Sequence, residues 1–120
     1  MKIPKFEAQT EWVKPTEFPD LRKIDEIAID LETKDPDLIK KGSGSIIGNG
    51  EVIGIAVATK HYTGYFPIAH EGGGNMDKSR VLSWLKDILE APSTKIFHNA
   101  IYDVCWLKAM GFKINGDIAC

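Results

Sequence analysis

Three strand-like segments follow one another along this chain before any long helical pattern begins. Residues 26–33, 51–59 and 62–69 are rich in β-branched and aromatic residues, and they partly alternate apolar with polar positions. This pattern predicts three strands. Only Lys60 and His61 separate the second segment from the third, so these two are expected to pair as a hairpin.

Helical and strand-like patterns alternate in the second half of the chain. Apolar residues recur at helical spacing between residues 81 and 89, with Asp77 as the expected N-cap and Pro92 as the stop. Residues 95–97 then predict a short fourth strand. The order so far is three strands, a helix and a strand.

A second helix is expected to begin at Asn99, a good N-cap residue, and to end at Gly111. Residues 112–114 are expected to add a fifth short strand, and Asp117 to cap a further helix that the chain does not contain. Hairpin-connected strands followed by alternating helices and strands favour an α/β fold, a mixed sheet flanked by helices.

The segments outside these elements predict irregular structure. Residues 1–24 contain three prolines and show no clean periodicity, so they are interpreted as an irregular N-terminal lead-in. Residues 34–50 are rich in glycine, aspartate and lysine and are expected to form a turn followed by a loop. Residues 25–120 would then form the folded domain.

Composition limits the classes of function. A chain of 120 residues with 43% hydrophobic residues can bury one core, so disorder is not expected. The net charge of −2 does not indicate a strongly basic nucleic-acid-binding surface, so a polyanion would need a local basic patch or bound cations. Cys105 and Cys120 do not have zinc or disulfide-framework spacing. No membrane span or signal segment is evident, which predicts a cytoplasmic protein.

Two acids stand on one face of the first predicted strand. Asp30 and Glu32 are two residues apart, so their side chains project together among apolar neighbours. A solvated strand face would explain most such pairs. The alternative is a site for a hard divalent cation, since Mg²⁺ and Mn²⁺ prefer carboxylate oxygen ligands.

A third acid lies one turn into the second predicted helix of the second half. Asn99 and Asp103 are four residues apart and share a helix face. Taken separately, Asn99 is an ordinary helix cap and Asp103 an ordinary first-turn acid that favours the helix dipole. The combination with the two acids on the strand is what indicates a site.

The combination resembles a known family. Ile29-Asp-Leu-Glu-Thr33 is similar to the first motif of the DEDD proofreading exonucleases, and His98-Asn-Ala-Ile-Tyr-Asp103 to the second. The resemblance is closest to the 3′→5′ exonuclease domain of family A, DNA polymerase I-type enzymes of bacteriophages, and it extends from about Trp12. Supporting similarity lies in Phe18-Pro-Asp-Leu21, Tyr65-Phe-Pro-Ile-Ala-His-Glu71 and Asn115-Gly-Asp117.

The resemblance implies a ribonuclease H-like fold and hydrolysis of the 3′-terminal phosphodiester of single-stranded DNA. Two divalent ions, Mg²⁺ or Mn²⁺, would be held by Asp30, Glu32 and Asp103, which are the expected catalytic residues. The same resemblance implies contacts to the single-stranded 3′ end. The expected nucleic-acid-binding residues are Thr33, Leu38 (with Leu31 as its alternative), His98, Asn99 and Tyr102.

The chain departs from the family pattern after the second motif. The third motif, a Tyr-x-x-x-Asp or His-x-x-x-x-Asp on a later helix, does not occur. The expectation is therefore a domain truncated before its C-terminal helices, with little or no catalysis of its own and a polymerase domain normally C-terminal to it. Loss of a covering helix would expose apolar surface, which predicts self-association or a partner chain.

Two other functions stay open at this stage. One is a non-catalytic nucleic-acid-binding module that keeps the fold. The other is a ribonuclease D-like exonuclease that acts on RNA, although the 34–50 loop and the 65–74 stretch favour the phage polymerase resemblance.

Overall fold

A computed structural model describes residue 15 and residues 17–120, and it contains one five-stranded sheet. The predicted lead-in lies largely outside the described residues. The strands are β1 (Glu26–Lys34), β2 (Glu51–Ala58), β3 (Thr63–Pro67), β4 (Thr94–Ile96) and β5 (Ile118–Ala119). Their order across the sheet is β3-β2-β1-β4-β5.

The sheet is mixed, and β1 lies at its centre. Strand β1 pairs antiparallel with β2 and parallel with β4. Strands β2 and β3 form the predicted antiparallel hairpin, and β5 runs parallel to β4. The predicted α/β class is therefore confirmed, with β1 bordered by hydrogen-bonded neighbours on both sides.

Two long helices accompany the sheet, and both predicted caps are confirmed. The carboxylate of Asp77 accepts from the backbone N–H of Arg80 at 3.3 Å, and the amide oxygen of Asn99 accepts from that of Tyr102 at 3.4 Å. No helix in the described part of the chain is long and apolar enough to cross a membrane. The helices are α1 (Leu38–Lys41), α2 (Gly44–Ile47), α3 (Lys78–Glu90) and α4 (Ala100–Ala109).

The alternation along β1 separates an apolar face from a face that carries acids. Ile27, Ile29 and Leu31 belong to the main core together with the apolar residues of α3. Because strand side chains alternate, the other face carries Asp30 and Glu32. The residues of α3 and α4 that belong to the core thus pack with the apolar side chains of β1. The α3 and α4 residues of the core are Val81, Leu85, Ile88, Leu89, Trp106 and Leu107.

A buried lysine, which sequence reasoning did not single out, fixes the start of β4. Lys95 is fully buried, and its ammonium group donates to the backbone carbonyls of Ala91, Ser93 at 2.9 Å and Asn115 at 2.8 Å. Three acceptors match the three N–H bonds of the ammonium group. Burial lowers the pKa of Lys95 from its ordinary value. This one side chain joins the end of α3 to the segment that follows α4.

The chain after α4 differs from the prediction. Residues 112–114 are not a strand, and the fifth strand is β5, four residues further on. Asp117 does not cap a helix; its carbonyl accepts from the backbone N–H of Lys95, which begins the pairing of β5 with β4. The backbone N–H of Asn115 donates to the carbonyl of Leu89 at 2.8 Å, so contacts with the end of α3 override the local strand propensity.

The predicted loop between β1 and β2 contains the two short helices α1 and α2. The backbone N–H of Gly44 donates to the carboxylate of Asp35, and a side chain at Gly44 would meet the carbonyl oxygen of Asn49 at 1.8 Å. Only glycine therefore fits this close approach of backbone to backbone. The prediction of an irregular loop was wrong because tertiary contacts organise these residues.

Candidate functional site

Asp30 and Glu32 lie side by side on the less apolar face of β1, as predicted. Across the sheet, Asp30 is paired with Ala56 and Glu32 with Gly54, so small residues flank both acids. The register shifts between Glu32 and Thr33, so β1 continues to pair with β2 in a shifted register directly after the second acid. Asp30 is partly buried, whereas the side chain of Glu32 is 55% exposed.

Helix α4 brings Asp103 to Asp30. The backbone N–H of Asp103 donates to the carbonyl of Asn99 at 3.0 Å, so the capped first turn sets its position. Asp103 is 3% exposed, and its Oδ2 atom has no hydrogen-bond partner within the described part of the chain. Burial, and secondly the charge of Asp30, raise the pKa of Asp103 to about 7. The two carboxylates, 73 residues apart in sequence, therefore repel each other across a shared space.

The electrostatics of Asp30 place two further residues near this pair. Burial raises the pKa of Asp30, the neighbouring charge of His98 lowers it, and Glu32 raises it. His98 is exposed at the start of the segment that leads into α4. The structure thus places Asp103, His98 and Glu32 within electrostatic range of Asp30.

The donor chemistry of the Asp30–Asp103 pair fits a hard divalent cation. A buried carboxylate oxygen without a partner is rare in folded proteins, and a cation would supply both the missing contact and the opposite charge. Among the described residues, no three His, Cys, Asp or Glu side chains are gathered closely enough to form a complete cation site. The described residues therefore provide a two-carboxylate core, with the Glu32 carboxylate turned towards other partners.

Those partners are Tyr65 and His70, which sequence reasoning did not assign to the site. The hydroxyl of Tyr65 donates to Oε2 of Glu32 at 2.6 Å, and it lies 2.5 Å from Nε2 of His70. Burial, with a further contribution from Glu32, raises the pKa of Tyr65 above its ordinary value. Both residues lie in the 65–71 stretch that supported the resemblance, but nothing in a single sequence indicates that this stretch reaches β1.

Thr33 and Tyr102 are joined to each other, which links the end of β1 to α4. Their hydroxyl oxygens are 2.8 Å apart, and the Tyr102 hydroxyl donates to Oδ2 of Asp35 at 2.8 Å. Since that phenol has one proton, Thr33 is the donor in the first contact. Asp35 was missed by sequence reasoning, which interpreted it only as a turn residue. The predicted contacts of Thr33 and Tyr102 with a nucleic acid remain predictions.

The last two predicted binding residues are Asn99 and Leu38. Asn99 is exposed, and its side-chain oxygen serves as the cap of α4. Leu38 opens α1 and is 40% exposed. Further isoleucines are exposed next to Leu38 in the sequence and on helices α2 and α4, which contact each other. These exposed isoleucines are Ile39, Ile46, Ile47 and Ile101. Exposed apolar side chains are thus present on these helices, whereas the apolar surface expected from a missing covering helix, and self-association through it, stay predictions.

Comparison with known proteins relates the chain to a viral replication enzyme. No protein-family model matches it. A DNA-directed DNA polymerase of Pseudomonas phage M6 is 41% identical in an alignment of 81 residues that covers 64% of this chain and 12% of that polymerase. The chain therefore spans a small part of the length of this relative. The similarity supports a role associated with a DNA polymerase.

Proposed function

We propose that this chain forms the metal-binding part of a 3′→5′ proofreading exonuclease domain of a family A DNA polymerase, with a ribonuclease H-like fold. The observation that carries the proposal is the pair of Asp30 and Asp103, two mutually repelling carboxylates of which Asp103 is buried and has an oxygen without a partner among the described residues. A fold maintains such a pair at a cost, and a bound cation removes that cost. The relation to a phage DNA polymerase supports the same assignment.

In this proposal, Asp30, Asp103 and Glu32 hold two divalent ions. When bound, such ions supply an acidified water and neutralise the charge that develops on the phosphoryl group. The chain itself has a net charge of −2, so cations also offset the repulsion between its acids and a DNA backbone. His98, which is close enough to Asp30 to lower its pKa, would stand beside the phosphate.

The residues around the acids would position the 3′ end of the DNA strand. The bond between Thr33 and Tyr102 keeps both side chains next to the end of β1. Asn99 presents its exposed side chain at the start of α4, and Leu38 offers apolar surface for a base. Stacking and backbone contacts of this kind accept any base, as a proofreading enzyme requires.

A metal-binding measurement combined with a cleavage assay tests the proposal. Binding of Mn²⁺ is followed by electron paramagnetic resonance for the wild type, Asp30→Asn and Asp103→Asn. The matched control is Asp87→Asn, because Asp87 is an exposed aspartate on α3 away from the pair. We expect binding in the wild type and the control, and at least tenfold weaker binding in both site variants. Equal binding by all four proteins would refute the proposed site.

The cleavage assay uses a 5′-labelled single-stranded DNA with Mn²⁺. Products shortened from the 3′ end, absent with Asp30→Asn, would support exonuclease activity of this chain. A ribose version of the same oligonucleotide separates the ribonuclease D-like alternative, which predicts faster shortening of RNA.

A second candidate is a binding module without catalysis. The observation that favours it is that the described residues gather no three-ligand cation site. This candidate predicts binding of single-stranded DNA, seen by fluorescence anisotropy, that is unchanged by Asp30→Asn and independent of Mn²⁺.

A further inference from the structure

Tyr65 reaches Glu32 across an intervening strand. Tyr65 lies on β3, where it pairs with Ala56 of β2. Glu32 lies on β1, two strands away, opposite Gly54, which is two residues from Ala56 along β2. The phenol nevertheless donates to Oε2 of Glu32 at 2.6 Å, so its ring crosses β2 diagonally.

Gly54 provides the passage for this ring. A Cβ atom at position 54 would lie 1.8 Å from the Tyr65 hydroxyl oxygen and 2.3 Å from the ring carbon that bears it. The φ angle of Gly54 is not positive, so the backbone does not require glycine there. The space taken by the Tyr65 ring is therefore the reason that a glycine lies in the middle of β2.

His70 fixes the other side of the phenol. Because the single proton of the Tyr65 hydroxyl is donated to Glu32, the 2.5 Å contact with His70 requires that Nε2 of His70 donate its own proton to the phenol oxygen. The two rings meet edge to face with centroids 5.7 Å apart. The result is a directed chain of hydrogen bonds from His70 through Tyr65 to Glu32.

A glycine-rich turn holds His70 in place. The side chain of Asn75 accepts from the backbone N–H of His70 at 2.8 Å and donates to its carbonyl at 3.0 Å. Gly73 and Gly74 have φ angles of +85° and +71°, which allow the turn to close. An ion pair between Lys34 and Glu71 ties the same turn to the end of β1.

The geometry points to Tyr65 and His70 as positioning residues for Glu32: they hold one oxygen of its carboxylate so that the other oxygen serves as a cation ligand. This inference rests on the proposed function. Glu32 has a flexible side chain that is 55% exposed, and without these contacts it would sample several rotamers. Hydrogen bonds to a ligating carboxylate typically change metal affinity 10- to 100-fold.

The first test examines Glu32 in the metal-free protein. Three-bond NMR couplings of Glu32 report whether its χ1 angle is fixed or averaged. We expect a fixed rotamer in the wild type and averaging in Tyr65→Phe and in Gly54→Ala. The matched controls are Tyr62→Phe and Gly64→Ala, because a Cβ at Gly64 would collide with the Tyr62 hydroxyl at 2.5 Å rather than with Tyr65. Both controls should keep the fixed rotamer.

The second test measures Mn²⁺ affinity of the same proteins. Tyr65→Phe and Gly54→Ala should bind about tenfold more weakly, and the two controls within twofold of the wild type. In a Glu32→Gln background, Tyr65→Phe should have no further effect, because the group that it positions is gone. A merely structural role of Tyr65 would weaken binding equally in both backgrounds.

The outcomes separate this inference from the proposed function. A wild type that binds no more Mn²⁺ than Asp30→Asn would overturn both. A wild type that binds, with Tyr65→Phe equal to it or tighter, would overturn only the positioning role. If Gly54→Ala does not fold, Tyr65→Phe decides the matter, since it removes one hydroxyl and keeps the ring.

Discussion

Replacing Asp103 with asparagine removes a charge from the most buried acid of the candidate site. The folded protein raises the pKa of Asp103 to about 7 from an ordinary value of 3.8. Between these two pH values the native state keeps a proton that the unfolded chain releases. The unfolded state thus binds fewer protons, so the free energy of unfolding falls as pH rises from about 4 to 7 and is constant above.

The size of this effect follows from the same two pKa values. A rise of about three pH units, at ~1.4 kcal/mol for each, corresponds to about 4 kcal/mol lost at pH 8. Asparagine is neutral at every pH and has nearly the same shape. Its side-chain amide, like the protonated carboxyl group of Asp103, can donate a hydrogen bond within the site. The variant and the wild type should therefore be equally stable at pH 4, to within about 0.5 kcal/mol.

Urea unfolding in the presence of a chelator, followed by tryptophan fluorescence, measures the difference. Trp84 and Trp106 contact or belong to the core and report its loss. At pH 8 we expect Asp103→Asn to be about 3–4 kcal/mol more stable than the wild type, with a midpoint about 2 M higher in urea. Asp87→Asn, the exposed control, should not differ from the wild type by more than about 0.5 kcal/mol.

Adding Mn²⁺ in place of the chelator should reverse the ranking. A cation that binds only the native state raises the free energy of unfolding by RT ln(1 + L/Kd), where L is the free cation concentration. The cation should therefore stabilise the wild type more than Asp103→Asn, which binds it more weakly. The reasoning would be refuted if Asp103→Asn were less stable than the wild type at pH 8 with chelator, or if both proteins showed the same pH dependence.

Other contacts give further expectations, each measured by urea unfolding against the wild type. Lys95→Met leaves three backbone carbonyls without their donor and should lower the free energy of unfolding by about 3 kcal/mol or more. Lys86→Met, at an exposed ion pair, should leave the free energy of unfolding nearly unchanged. Gly44→Ala forces a Cβ against a backbone oxygen and should cost about 2 kcal/mol. Tyr102→Phe removes two hydrogen bonds and should cost about 1–2 kcal/mol. Losses below about 0.5 kcal/mol would contradict each of the three expected destabilisations.

Local patterns were enough to predict most elements of this fold. The alternation in β1 placed Asp30 and Glu32 on one face, and the side-chain oxygens of Asp77 and Asn99 marked the starts of α3 and α4. These signals depend on neighbours within about four residues, so they can be recognised without knowledge of the tertiary structure. The spacing of Asn99 and Asp103 likewise predicted that both belong to the first turn of α4.

Local propensity failed where distant contacts compete with it. Asp117 has the chemistry of a helix cap, but the chain around it pairs with β4. The segment after β1 has the composition of a loop, but the hydrogen bonds of Asp35 to Gly44 and Tyr102 organise it into short helices. In each case the deciding partner lies at least nine residues away, beyond the range of a local pattern.

The alternation of side chains along β1 places Asp30 and Glu32 on the same face, and this follows from the residue order without knowledge of the packing. The tertiary structure alone decided that Asp103 is buried against Asp30, that its pKa rises, and that Glu32 is held by Tyr65 through the space above Gly54. The physical reason is that desolvation and charge repulsion depend on distance and burial in three dimensions. Residues 73 positions apart acquire such a relation only when the sheet and α4 have packed together.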